Sequence, residues 1–230
     1  MCGQCGCDEP QAAPPPRRRL ELHQPLLSRN NSQAARNRDH FRRHGLRTIN
    51  LLSAPGSGKT ALLEQLARHW PRPPIGVIVG DLATDNDARR LQLAGARAVQ
   101  IRTGDVCHLD AALVDQAFSQ LDCRGIDLLV IENVGNLVCP AAFDLGEQRR
   151  VALLSVTEGE DKPLKYPALF KSADAVVINK ADLAEAVGFD RRTAIANLNA
   201  IAPQAALFEL SARTGEGLDA LIHWLDAKPA

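Results

Sequence analysis

The chain has 230 residues, with 27 Lys+Arg balanced by 27 Asp+Glu, 45% hydrophobic residues and 4% aromatic ones. This length supports one domain with a substantial core plus a tail, and the apolar fraction excludes global disorder. The charge balance and the shortage of aromatic rings exclude the broad basic surface and stacking platforms of a nucleic-acid binder, so no nucleic-acid partner is expected.

The N-terminus, MCGQCGCDEPQ, has neither a basic nor an apolar signal region. No stretch reaches the ~18–20 apolar residues of a membrane helix. A cytoplasmic location with no membrane partner is therefore expected, and there cysteines serve as ligands or inert thiols more often than as disulfides. Cys2, Cys5 and Cys7 crowd residues 1–7, whereas Cys107, Cys123 and Cys139 lie far downstream.

Residues 8–27 read as a linker, because the run PPPRRR at 14–19 favours extended polyproline and self-repulsion. Residues 28–45 read as a solvent-exposed helix with sparse apolar points at Ala34, Ala35 and Phe41, ending at Gly45. From residue 46 to 227 the pattern alternates. Strands are predicted at 48–53, 75–79, 98–101, 128–131, 150–156, 175–178 and 206–210, and helices at 60–69, 85–94, 110–121, 191–201 and 218–225. Such alternation predicts an α/β three-layer sandwich, a mostly parallel sheet with helices on both faces.

The segment SAPGSGKT at 53–60 follows a strand and opens a helix, the context that identifies a phosphate-binding P-loop. Backbone N–H groups of Gly56, Ser57, Gly58, Lys59, Thr60 and Ala61 would turn toward phosphate oxygens at the positive end of a helix. Lys59 would neutralise β/γ-phosphate charge, and the Thr60 hydroxyl would ligate Mg²⁺. Ser53 stands where this pattern usually has glycine, so the turn leans on Gly56 and Gly58.

The predicted strand 175–178 runs into Asn179-Lys180-Ala181-Asp182 at the sheet edge where open parallel sheets bind ligands. The two oxygens of Asp182 can accept from guanine N1–H and its 2-amino group. Adenine would leave that carboxylate unpaired, at a cost of about 1–3 kcal/mol, so GTP and GDP are the expected nucleotides. Asn179 can pin neighbouring loops, Lys180 can lie over the base, and a backbone amide of Ser211, Ala212 or Arg213 could meet guanine O6. This guanine set argues against a small-molecule kinase on the same P-loop.

Two further strands end in acids, Asp81 after 75–79 and Glu132 after 128–131. Both are candidate Mg²⁺ or water-organising residues, and with Lys59 they form the candidate catalytic set. Asp85 is a further catalytic candidate, although it and Asp87 also suit a helix N-terminus. Glu132-Asn133-Val134-Gly135 replaces an Asp-x-x-Gly switch, so no Gln can be assigned to the attacking water. The stretch EGEDKPLKYP at 158–167 is long and polar enough for a switch or partner surface, with Pro163 and Pro167 expected to interrupt helix formation.

Cys2-x-x-Cys5-x-Cys7 can wrap three thiolates around one ion. Soft donors suit Zn²⁺ or thiophilic transition metals, and a square-planar set completed by the α-amine would favour Ni²⁺. Cys107, His108 and Cys139 form a second candidate set for Zn²⁺ or Ni²⁺, one ligand short, which a symmetric dimer could complete. Cys123 is read as an ordinary thiol.

Together, the cysteine tail, the P-loop, Gly80-Asp81-x-x-Thr84, Cys107-His108-Leu109-Asp110, Glu132 through Pro140, EGEDKPLKYP and Asn179-Lys180-x-Asp182 resemble the HypB family of nickel-incorporation GTPases of [NiFe]-hydrogenase maturation. The resemblance covers residues 1–7 and nearly all of 28–226. It implies a dimerising GTPase with slow intrinsic turnover that delivers nickel to a hydrogenase large-subunit precursor and exchanges it with a HypA-type metallochaperone. It also implies a high-affinity nickel site at Cys2, Cys5 and Cys7 and a weaker Ni/Zn site at Cys107, His108 and Cys139 near the dimer interface. A storage protein with an uncoupled GTPase, and a urease- or cobalamin-type accessory GTPase, are the alternatives. Some relatives carry a histidine-rich nickel-storing tract, but residues 8–27 hold only His23.

Overall fold

The continuous apolar runs predicted as strands form one seven-stranded sheet in the structure. It is a computed structural model that describes residues 23–81, 86–102 and 107–227, and of 23–25, 81 and 102 the backbone only. The tail cysteines and Asp85 lie outside the described residues. The strands are β1 (Arg47–Ser53), β2 (Gly76–Asp81), β3 (Arg97–Arg102), β4 (Leu128–Glu132), β5 (Arg149–Ser155), β6 (Ala175–Asn179) and β7 (Ala206–Glu209). Their order is β3-β2-β4-β1-β5-β6-β7, and every neighbouring pair is parallel. Every residue of β4 and β6 is buried, whereas β7 at the edge is half-buried. Burial on both faces is why β4 and β6 read as apolar runs rather than alternating ones.

One face packs α2 (Lys59–His69), α3 (Asn86–Leu93) and α8 (Leu218–Asp226) through Leu62, Leu66, Leu91, Leu221 and Leu225. The other face carries α1 (His23–Arg43) with α4 (Ala111–Phe118), and then the short α5 (Lys162–Lys165) and α6 (Pro167–Lys171) with α7 (Arg191–Ile201). This second face holds two apolar clusters. One is built around Phe41, Leu109 and Phe118, the other around Leu52, Phe170 and Leu198.

Three expectations are corrected. The first helix begins at His23, five residues ahead of the expected 28, so residues 23–27 are not linker. Pro25 permits this, because the first turn of a helix needs no donor from its N–H groups. The helix is also not a free exposed rod. Asn30, Ala34, Asn37 and Phe41 form one buried stripe at helical spacing, and two of the four are amides. Finally, Pro163 and Pro167 start α5 and α6 at their first turns rather than preventing helix.

Asn37 is only 1% exposed, and its Nδ2 donates to Ala111 O at 2.7 Å and to Leu145 O at 3.0 Å. Asn30 bridges Ala111 N and Asp144 O in the same way. These amides fasten α1 to the start of α4 and to the loop before β5. Replacing one leaves buried carbonyls without their donor, the expensive case for a hydrogen bond. Asn37→Ala is therefore expected to lower stability by about 2–3 kcal/mol. Chemical denaturation should show a lower midpoint with an unchanged slope.

Candidate nucleotide and metal sites

The parallel sheet brings the C-terminal ends of β1, β2, β4 and β6 to one edge. Leu51 of β1 pairs with Glu132 of β4, and Val79 of β2 pairs with Glu132 from the other side. The P-loop and the Glu132 loop are therefore neighbours by register. They line a cleft of about 430 Å³ that Gly56, Lys59, Thr60, Glu132 and Gly135 share with Asp87 and Arg90 of α3. A Cβ added to Gly135 would lie 2.9 Å from Pro55 Cα, so only a bare backbone lets these two loops touch.

Ser53 is fully buried and outside the left-handed backbone region, so the position tolerates a side chain. Its Oγ accepts from Lys59 Nζ at 2.9 Å and from Ser57 Oγ at 2.5 Å, and donates to Ala54 O at 2.8 Å. Serine thus orients the P-loop lysine, a role that sequence reasoning missed because it shows only in three dimensions.

Thr60 Oγ1 donates to Glu132 Oε1 at 3.0 Å, and the Glu132 side chain is buried. Asp81 ends β2, two residues beyond the pair partner of Glu132. A hydroxyl against a carboxylate beside a phosphate loop is a hard-oxygen donor set, which fits Mg²⁺. Asp87 ion-pairs with Arg90, which also meets Glu64.

At the end of β6, Asn179 is fully buried and holds two loops. Its Nδ2 donates to Ser57 O at 2.8 Å, and its Oδ1 accepts from Ala212 N at 3.0 Å. Lys180 donates from Nζ to Gly56 O at 2.7 Å. It is the one non-glycine residue with positive φ among the described residues, at 62°. Backbone strain of this kind costs about 1 kcal/mol or more and concentrates at working sites. Asp182 accepts from Ser211 Oγ at 2.5 Å and from Arg213 Nε at 2.9 Å. The Ser211 hydrogen bond and, after it, the Arg213 guanidinium hold its carboxyl below the usual range against the opposing effect of desolvation. The expected base contact from residues 211–213 narrows, because the Ser211 and Ala212 amides donate to Glu216 O and Asn179 Oδ1. Of the three, the Arg213 amide is the one these two bonds leave over.

The second cysteine set also assembles. Ligand atoms of Cys107, His108 and Cys139 all lie within 4.8 Å of one another. His108 Nδ1 is 3.7 Å from Cys107 Sγ, and the ring stacks on Phe143 with centroids 4.0 Å apart. Burial lowers the His108 pKa, which favours the neutral imidazole that a metal needs. A hydrogen bond with Cys107 and then burial push the Cys139 thiol up, so binding a cation there would release a proton. Two sulfurs and one imidazole suit a borderline or soft divalent ion. Cys123 instead packs beside the Phe118 cluster, and burial raises its thiol pKa.

Residues 47–209 match the CobW/HypB/UreG nucleotide-binding domain. The hydrogenase maturation factor HypB of Rhizobium leguminosarum is 50% identical over 212 residues, covering 92% of this chain and 71% of the relative. The crystal structure of HypB from Helicobacter pylori in complex with nickel superimposes with a TM-score of 0.82 at 41% identity, over 86% of this chain and 93% of that one. The crystal structure of the hydrogenase maturation factor HypB from Archaeoglobus fulgidus gives 0.80 at 42% identity, over 86% and 98%.

Gly58 has φ +99°, and a Cβ there would sit 2.5 Å from Asn179 Nδ2. Gly58→Ala is thus expected to push Asn179 off Ser57 while straining the loop, and to weaken nucleotide binding by about 30-fold or more, equivalent to ~2 kcal/mol. Titration with a fluorescent guanine nucleotide measures this, and an unchanged affinity would disconnect Gly58 and Asn179 from the nucleotide.

Proposed function

Because the chain belongs to the CobW/HypB/UreG family, and within it to the hydrogenase maturation factors HypB, we propose that it is a GTP-hydrolysing nickel carrier whose nucleotide state sets its hold on the metal. One observation carries this reading. Glu132, which receives the Thr60 hydroxyl, and Cys139, a member of the soft-ligand cluster, lie at the two ends of one eight-residue segment.

Asp182, ionised and oriented by Ser211 and Arg213, receives the guanine N1–H and 2-amino groups. Asn179 fixes the P-loop against the base loop. Lys59 exchanges its Ser53 contact for phosphate oxygens, and the P-loop amides bind the β-phosphate. Mg²⁺ held by Thr60, with Asp81 and Glu132 beside it, would neutralise charge on the β- and γ-phosphates. When the γ-phosphate leaves, Lys59 and Thr60 return to partners inside the protein, and the Glu132 segment shifts with them. That shift changes the placement of Cys139 relative to Cys107 and His108, and with it the affinity for nickel.

Nickel is cargo here. Cys2, Cys5 and Cys7 form the tighter site, while Cys107, His108 and Cys139 form the gated one, with Zn²⁺ as a competing occupant. A second copy of the chain supplies the missing coordination, so dimerisation follows metal or nucleotide. A HypA-type metallochaperone and a hydrogenase large-subunit precursor are the partners, in the cytoplasm. Among the described residues no helix is long and apolar enough to cross a membrane.

The carrier reading is tested by equilibrium nickel titration of the full chain and of a variant with Cys2→Ala, Cys5→Ala and Cys7→Ala, each with GDP and with a non-hydrolysable GTP analogue. The variant is expected to keep a weaker site whose affinity changes at least fivefold between nucleotides. Affinities that ignore the nucleotide in both proteins would leave storage and hydrolysis as separate activities. Guanine selection has its own test in Asp182→Asn. The amide presents a donor to the 2-amino group, so GTP affinity should fall about 10–100-fold. Xanthosine triphosphate, which has a carbonyl at that position, should gain relative to GTP in a competition titration.

A further inference from the structure

The two apolar clusters on the α1 face do not merge, because a seam of buried polar side chains runs between them. Asn133 sits at its head, fully buried and one residue after Glu132. Its Oδ1 accepts from Val134 N at 3.0 Å and from Leu109 N at 3.3 Å, and its Nδ2 donates to Asn50 Oδ1 at 3.3 Å. Asn50, also fully buried, donates to Glu147 Oε1 at 3.3 Å. Glu147 accepts from Leu145 N at 2.7 Å and from Arg150 Nε at 2.6 Å. Arg150 in turn donates to Ala141 O and Phe143 O, both at 3.0 Å.

Both metal-bearing segments end in this seam. Leu109 directly follows Cys107 and His108. Ala141 belongs to the 3₁₀ turn Cys139–Ala142, and Phe143 is the ring on which His108 stacks. At the other end, Asn133 is bonded in the chain to the residue that holds Thr60 of the P-loop. A displacement of Glu132 must carry Asn133 with it, and Asn133 then either drags the Leu109 amide or abandons it. Abandoning a buried amide is costly. Apolar side chains of similar volume would have joined the clusters at no such cost, so packing alone does not account for the seam.

Resting on the nucleotide-gated reading above, we propose that Asn133 is the positioning residue that passes nucleotide state to the metal cluster. It does so through Leu109 to Cys107 and His108, and through Asn50, Glu147 and Arg150 to the Cys139 turn. Asn133 touches none of the three ligands; it sets the spacing between the segments that bear them.

The test uses the full-length chain carrying Cys2→Ala, Cys5→Ala and Cys7→Ala, so that Ni²⁺ reports on the second cluster alone. Nickel dissociation constants are compared at saturating GDP and at a saturating non-hydrolysable GTP analogue. Asn133→Ala is expected to bring a ratio of at least fivefold to within about twofold of unity, while the thiolate-to-nickel charge-transfer band remains. Asn133→Asp keeps an oxygen for the Leu109 and Val134 amides but has no donor for Asn50 Oδ1, so it should restore only the part of the ratio that passes through Leu109. Asn133→Ser, whose hydroxyl is too short to reach Leu109 and leaves room for water, gives the same reading if the Ala variant does not fold. By linkage, nickel must shift the affinity for the GTP analogue by the same factor, and that shift should vanish in the same variants. A ratio unchanged by Asn133→Ala overturns the positioning role and leaves the carrier reading intact. Loss of the charge-transfer band overturns it too, by making Asn133 a support of the cluster itself. A parent protein whose nickel affinity ignores the nucleotide overturns both readings.

Discussion

A parallel sheet buried on both faces gathers most of its polar chemistry at the ends of its strands, and the structure is organised by that constraint. Strands β4 and β6 are apolar up to their last residues, where they turn to Glu132 and Asn179, and β1, which carries the buried Asn50 at its middle, ends in Ser53. The strand order puts β1 between β4 and β5, so the loop that follows it has the Glu132 segment on one flank. Nothing else is needed to bring Thr60 and Glu132 together across 72 residues of sequence.

The buried polar side chains at this edge are there as connectors. Asn179, Asn133, Asn50 and Asn37 are each at most 1% exposed, and each is hydrogen-bonded to a segment distant in sequence. A buried amide left unpaired costs about 1–3 kcal/mol, more than the net gain from a satisfied one. Such a residue therefore enforces a geometry more than it adds stability. Asn179 ties the P-loop to the loop after β7, Asn37 seats α1 on the start of α4, and Asn133 ties the P-loop's neighbour to the segment that follows Cys107 and His108.

The strands, the P-loop turn and the clustering of Cys107, His108 and Cys139 are legible in the sequence because each has a local signature: an apolar run, a glycine spacing or a soft donor beside an imidazole. Helix α7 agrees with its expected span to the residue, and most other ends shift by one or two, as fraying ends do. What escapes is the role of residues whose partners lie far away in sequence. The α1 stripe counts two asparagines among its four buried members, so apolar spacing alone describes an exposed helix. Ser53 looks like a departure from the P-loop pattern until its three hydrogen bonds are seen, and Asn50 and Glu147 carry no signature at all. Pro163 and Pro167 have one, but it is ambiguous, because proline both ends a helix interior and suits a first turn.

Magnitudes decide whether so small a device suffices for the proposed coupling between the P-loop and the Cys107, His108 and Cys139 cluster. A tenfold change in affinity corresponds to about 1.4 kcal/mol, and one neutral hydrogen bond contributes about 0.5–1.5 kcal/mol net. The hold of the single bond from Leu109 N to Asn133 is thus of the right size to carry the shift, and no domain rearrangement is required. Its 3.3 Å length places it beyond the usual range for an N–H donor, unlike the 2.8 Å bond by which Asn179 grips Ser57. The contacts that fix the nucleotide frame are short, while those from Asn133 to Leu109 and Asn50, and from Asn50 to Glu147, are long. A frame that must keep its shape while one neighbouring segment moves needs that distribution of strong and weak bonds.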